Sequence, residues 1–112
     1  MYSYPNVSLG AVGSSDAIVP YSTRGVQIGQ LVAQPITGLG MICKVSAGAS
    51  LTYTVQITGD DPNNIVNWID HDFLRNLTAS QYGQVIYPVS AIRLNVTVWA
   101  SGTVNMGTVQ WP

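Results

Sequence analysis

Apolar and neutral polar residues alternate over long stretches of this chain. In "LTYTVQIT", residues 51–58, Leu51, Tyr53, Val55 and Ile57 fall on one side and Thr52, Thr54, Gln56 and Thr58 on the other. In "AIRLNVTVW", residues 91–99, Ile92, Leu94, Val96 and Val98 alternate with Arg93, Asn95, Thr97 and Trp99. A period of two sends successive side chains to opposite faces of a strand. One apolar and one neutral polar face predicts antiparallel sheets covered on one side. The Val and Ile content agrees, because β-branched side chains are stiff at χ1 and suit a pleated surface. A strand is expected over 41–46 in "GMICKVSAG", and weaker ones in "AIVPY" and "GVQIGQLVA".

Breakers divide these runs. "SAGAS" joins strand 41–46 to strand 51–58, and "TGDDPNN" closes the latter. Ser101-Gly102 in "WASGTV" predicts a terminal hairpin over 90–110. Gly107 predicts a bulge, since the apolar positions shift from Val104 and Met106 to Val109 and Trp111. Seven or eight short strands with frequent turns predict an all-β, antiparallel β-sandwich with jelly-roll or Greek-key connections over residues 26–112. Residues 1–25, rich in Ser, Gly, Tyr and Pro, read as an extended N-terminal arm on a partner or as an edge of the domain. One short helical segment is expected over 68–77. There Ile69, Phe73 and Leu77 recur at i, i+4 and i+8, with Leu74 on the same side, to anchor a crossover between sheets.

Composition narrows the function. Charged residues are 8% of the 112, against about 25% in ordinary soluble domains. The polar surface must therefore come from the 33 Ser, Thr, Asn and Gln residues. With net charge −1 and four Lys and Arg, the chain cannot line a phosphate groove, so no nucleic-acid partner is expected. So little charge repels neighbours weakly and suits life in an assembly. No run approaches the roughly 18 apolar residues of a membrane span. "MYSYPNVSLG" has no basic run followed by an apolar stretch, so no secretory leader is expected. Cys43, the single cysteine, alternates with Met41 and Val45 and reads as a buried small hydrophobe outside any disulfide framework.

The one concentration of titratable groups surrounds the only histidine, in "NWIDHDFLRNLT". Asp70 and Asp72 flank His71, and Asp60 and Asp61 lie about ten residues upstream. A catalytic zinc needs three protein ligands, and one His with one distant Cys cannot supply them. Asp60-Asp61-Pro62 does not match a calcium loop with alternating acids and a central Gly, which leaves a site shared between Asp60, Asp61, Asp70 and Asp72 as the open calcium alternative. No G-x-S-x-G elbow accompanies His71, and a glycosidase would need two carboxylates across a cleft. No catalytic residue, metal ligand or cofactor is assigned, and an enzyme is not expected. Asp60 and Asp61 instead suit capping of their own turn, and Asp70 or Asp72 capping of a short helix. Asp61, His71 and Arg93 form the expected structural polar network, with Arg93 covering a carboxylate.

The second half resembles small virion structural proteins of tailed bacteriophages. The matching elements are "LTYTVQIT", "DDP" at 60–62, Trp68 with His71 and Leu74 after it, "LTAS" at 77–80, "YPVSAIRLNVT" at 87–97, Gly102 in the last turn and Gln110. They span roughly residues 51–110; the first 50 residues carry no such match. Asp70 and Asp72 depart from the pattern, which puts in doubt any role for the D-H-D triplet as one device. The resemblance implies a virion component, most simply a capsid decoration or cement protein. It would sit on the capsid exterior, partnered by the major capsid protein. A homo-oligomer is implied, trimeric by analogy with decoration proteins at local threefold positions. Tyr2, Tyr4, Tyr21, Trp99 and Trp111 are the candidate interface anchors. The alternatives are a tail-fibre or baseplate module binding host glycans, and a head–tail neck component.

Overall fold

The computed structural model describes residues 2–19, 38–61, 63–86 and 89–111. Among the described residues eight strands follow one another: β1 (Tyr2–Leu9), β2 (Gly13–Ser14), β3 (Gly38–Val45), β4 (Ser50–Thr58), β5 (Ile69–Asp70), β6 (Gln81–Val85), β7 (Ala91–Ser101) and β8 (Val104–Trp111). They form two four-stranded antiparallel sheets, ordered β1-β8-β3-β6 and β2-β7-β4-β5. The pairings nest: β1 with β8, β2 with β7, β3 with β6 and β4 with β5. Contacts of β3 with β8 and of β4 with β7 weld the nested pairs into sheets.

Alternation explains the core. Leu39, Met41 and Cys43 of β3 and Val104 and Met106 of β8 face inward from the first sheet. Leu51, Tyr53, Val55 and Ile57 of β4 and Ile92, Leu94 and Val96 of β7 face inward from the second, and all join one buried cluster. Each fully buried aliphatic side chain contributes about 1.5–3 kcal/mol relative to an exposed one.

The expected helix over 68–77 is absent. Ile69 and Asp70 instead pair with Ile57 and Gln56 of β4 as β5. Beyond them, His71 N donates to Val55 O (2.8 Å), Val55 N to Leu74 O (2.7 Å), and Tyr53 and Leu77 exchange two bonds of 2.9 Å. The segment's backbone groups are thus taken by the edge of β4 and unavailable for an i→i−4 ladder. Asn76, at φ 52°, adds a left-handed kink. The anchors differ as well: Leu74 is fully buried, whereas Ile69 is 62% and Phe73 81% exposed.

The last two strands are no hairpin, since β7 and β8 lie in different sheets. Residues 102–103 arch across the core beside a second arch, 46–49. Ser46 N donates to Thr103 O (2.9 Å), and Thr103 N to Ser46 Oγ (3.0 Å). Each arch supplies the partners that a hairpin turn finds within itself.

The bulge predicted at Gly107 lies on the opposite strand. Along β8, Val104, Met106, Thr108 and Gln110 are all buried, so the alternation does not shift. Along β1, Tyr4 and Val7 are three positions apart, while their partners Thr108 and Met106 are two apart. Pro5, which has no N–H for a ladder, falls within that step.

The described part of the first 25 residues supplies β1 and β2, an edge strand of each sheet. Ile18 adds an isolated bridge to Ile92. Tyr21, the 25/26 boundary and "GVQIGQLVA" lie outside the described residues.

Candidate functional site

His71 sits where the two sheets meet along one side. Its backbone belongs to the edge of β4, while its ring reaches β6. Only 3% of the residue is exposed. Nδ1 accepts from Phe73 N (3.1 Å) and Leu74 N (3.2 Å). It therefore carries no proton, and Nε2 must donate its hydrogen to Gln84 O (3.0 Å). The neutral Nε2–H tautomer satisfies all three backbone groups and ties β6 to the segment along β4. Leu74, positioned by the same turn, packs against Gly83, where an added Cβ would lie 2.8 Å from Leu74 Cδ1.

An open cleft of about 540 Å³ lies beside this tie, lined by His71, Asp72, Phe73, Tyr82, Gly83, Gln84 and Ile86. Tyr82 pairs with Ile42, and Gln84 with Gly40, on the outward face of β6. Because Gln84 O turns to His71, residues 82 and 84 direct their backbone groups to the free edge of β6. Gln81 Oε1 accepts from Tyr82 N (3.2 Å) at that edge. Both aromatic rings are exposed, Phe73 at 81% and Tyr82 at 77%. Sequence reasoning assigned Phe73 to the core and passed over Tyr82. The available signal was "QYGQVI", where Gly83 and Val85 alternate with Tyr82, Gln84 and Ile86.

The structure does not bring Asp61, His71 and Arg93 together. Asp61 Oδ1 accepts from Asn63 N (2.9 Å), an Asx turn of its own loop. Arg93 Nε donates to Gln56 Oε1 (2.7 Å), and Gln56 Nε2 to Asp70 Oδ1 (3.1 Å). The three residues stand opposite one another across β7, β4 and β5. Arg93 thus reaches a carboxylate through Gln56, while its guanidinium covers the Trp68 ring, 4.5 Å from the centroid. Partial burial draws the Arg93 pKa below its ordinary value.

Asp60 holds the loop that follows β4. Its carboxylate accepts from Val66 N (2.9 Å) and Asn67 N (2.7 Å). These bonds keep its pKa below the usual carboxylate value, the one to Asn67 most strongly. Among the described residues no group of three His, Cys, Asp or Glu side chains is placed to hold a metal ion. Cys43 is fully buried, and burial pushes its thiol pKa up to about 12. Tyr53, pushed up by burial and by Cys43, donates its hydroxyl to Ala79 O (2.7 Å).

Of the interface candidates, Tyr2 and Tyr4 lie on β1, Trp111 on the paired strand β8, and Trp99 on β7. Tyr2 pairs with Gln110 in the ladder, and Trp111 with Gly38. Tyr4 is half-buried and its hydroxyl donates to Gln110 Oε1. Trp99 stands opposite Leu51, is 40% exposed, and donates Nε1–H to Gly102 O (2.9 Å). Exposed Val98 adjoins it, at the end of the molecule formed by the two arches. Compared with protein-family models, curated proteins and solved structures, the chain finds no match.

Proposed function

We propose that this chain is a bacteriophage virion structural protein, a capsid decoration or cement protein built as an eight-stranded jelly-roll β-sandwich. The observation that carries the reading is the nested strand order. First-with-last pairing through four pairs, split into β1-β8-β3-β6 and β2-β7-β4-β5, is the order that two interlocked Greek keys produce. Viral capsid and lectin domains use that architecture. Fold alone does not imply function, so the reading leans equally on the resemblance over residues 51–110 and on a chain with only 8% charged residues. Both ring nitrogens of His71 are engaged by backbone groups, which favours a structural role over acid–base work.

The protein would sit on the exterior of the head as a homo-oligomer, with the major capsid protein as partner. The arch end, with Val98 and Trp99 exposed, supplies an apolar contact. Such contacts resist salt, because little of their energy is Coulombic. Quantifying the protein in purified virions tests the proposal. A shell protein on a symmetric lattice is expected at on the order of hundreds of copies. A neck, fibre or baseplate component would be held at far fewer, and finding that would overturn the shell location. Loss of the protein from capsids in a few hundred millimolar salt would argue against the apolar contact.

A further inference from the structure

We propose that the cleft at the free edge of β6 is a carbohydrate site. It would take an uncharged, hydroxyl-rich sugar stacked on Phe73 and Tyr82 and hydrogen-bonded by Asp72, Gln84 and the β6 backbone. The inference rests on the cleft itself; only its capsid-occupancy control rests on the proposed function.

Three observations converge. First, the chain's only Phe and a Tyr lie 81% and 77% exposed, and both line one cleft of about 540 Å³. That volume is within the range of roughly 300–1,000 Å³ of small-ligand sites. Large rings this exposed to water present flat apolar faces, which match the C–H face of a pyranose.

Second, the base of the cleft is rigid. His71 makes three hydrogen bonds, one of them to Phe73 N, and its ring centroid lies 6.3 Å from that of Phe73. A ligand therefore meets a preorganised backbone, which lowers the ordering cost of binding.

Third, the polar groups suit hydroxyls better than a peptide strand. The free edge of β6 is blocked at two points: Gln81 takes Tyr82 N–H, and His71 takes Gln84 C=O. Blocking of this kind opposes strand addition. What the antiparallel alternation leaves facing outward is one acceptor, Tyr82 C=O, and one donor, Gln84 N–H. A hydroxyl is donor and acceptor at once. The Gln84 amide and the Asp72 carboxylate add further partners at the cleft wall. Asp72 is also the only formal charge among the described lining residues, and it would repel an anionic sugar.

The test titrates the full chain, isotope-labelled, with neutral oligosaccharides of glucose, galactose, mannose and N-acetylglucosamine, and with a sialylated oligosaccharide as the anionic arm. Saturable amide shifts confined to residues 71–73 and 82–86 with a neutral sugar are expected. The double variant Phe73→Ala/Tyr82→Ala should weaken binding by about tenfold or more. Both side chains are exposed, so its melting temperature and its occupancy of capsids should stay unchanged. No shift with any neutral sugar, or equal binding by the double variant, would overturn the proposal. So would loss of capsid occupancy in that variant, because the cleft would then be a capsid contact.

Discussion

Gly102→Ala should be among the most damaging single changes in this protein. Gly102 lies at φ +88°, a left-handed conformation that costs an L-residue about 1–2 kcal/mol. A Cβ there would stand 2.2 Å from Ala49 Cβ, 2.7 Å from Ala49 Cα and 2.9 Å from Ser46 Oγ. Ala49 cannot simply step aside. It belongs to the opposing arch, where Ala49 N donates to Ser46 O (3.1 Å) and Ser46 N is held by Thr103 O. Overpacking against backbone costs about 1–3 kcal/mol more. Together the two effects reach about 2–5 kcal/mol, a large part of the roughly 5–15 kcal/mol that holds a domain folded. The melting temperature should fall by about 10–20 °C. Urea unfolding followed by tryptophan fluorescence, beside calorimetry, reads the change. Ala49→Gly removes the 2.2 Å clash but not the backbone term, so Gly102→Ala should cost less in that background. A Gly102→Ala protein within about 0.5 kcal/mol of wild type, or a cost indifferent to Ala49→Gly, would refute the stacked-arch argument.

Two further predictions concern the polar tie and the buried thiol. His71→Phe keeps an aromatic ring but leaves Gln84 O, Phe73 N and Leu74 N without their partner. A loss of about 2–4 kcal/mol is expected, with faster amide exchange at Leu74 and Val55; stability unchanged within error would show that water satisfies these groups. Cys43, whose thiol pKa is pushed up to about 12, keeps its proton in the folded state where the unfolded chain loses it above about pH 8.5. The folded protein therefore binds the extra proton in that window, and stability falls as pH rises from about 8.5 towards 12, by at most about 1.4 kcal/mol per pH unit. Iodoacetamide should modify native protein only through unfolding, and Cys43→Ala should flatten the onset of the alkaline decline near pH 9; fast native labelling would contradict the burial.

The strands of the core were legible in the sequence because the cause is local. A period of two over 51–58 and 91–98 places Leu51, Tyr53, Val55, Ile57, Ile92, Leu94, Val96 and Val98 on one face; the first seven are buried, whereas Val98, towards the end of β7, is 60% exposed. Cys43 followed from the same alternation. His71 could be recognised as the chain's lone imidazole, but not its partners, since Gln84 O lies thirteen residues away and reaches it only when β6 closes on the edge of β4. Arg93 and Asp70 both sought a partner, and register decided that Gln56 would stand between them.

Which strands share a sheet was decided only by tertiary structure. A short Ser-Gly turn serves a hairpin or an arch equally well, and contact with residues 46–49 selects the arch. Residues 68–77 carry a helical spacing, yet the edge of β4 offers their backbone better partners, so Leu74 enters the core while Ile69 and Phe73 remain outside. Thr108 and Gln110 are buried although polar, because β8 keeps its alternation straight past Gly107 while β1 absorbs the extra residue. Sequence by itself determined an all-β chain with one apolar face per strand, because alternation acts within a few residues. Long-range hydrogen bonding determined the nesting of the strands, the arches and the exposed aromatic cleft, because those partners lie far apart along the chain.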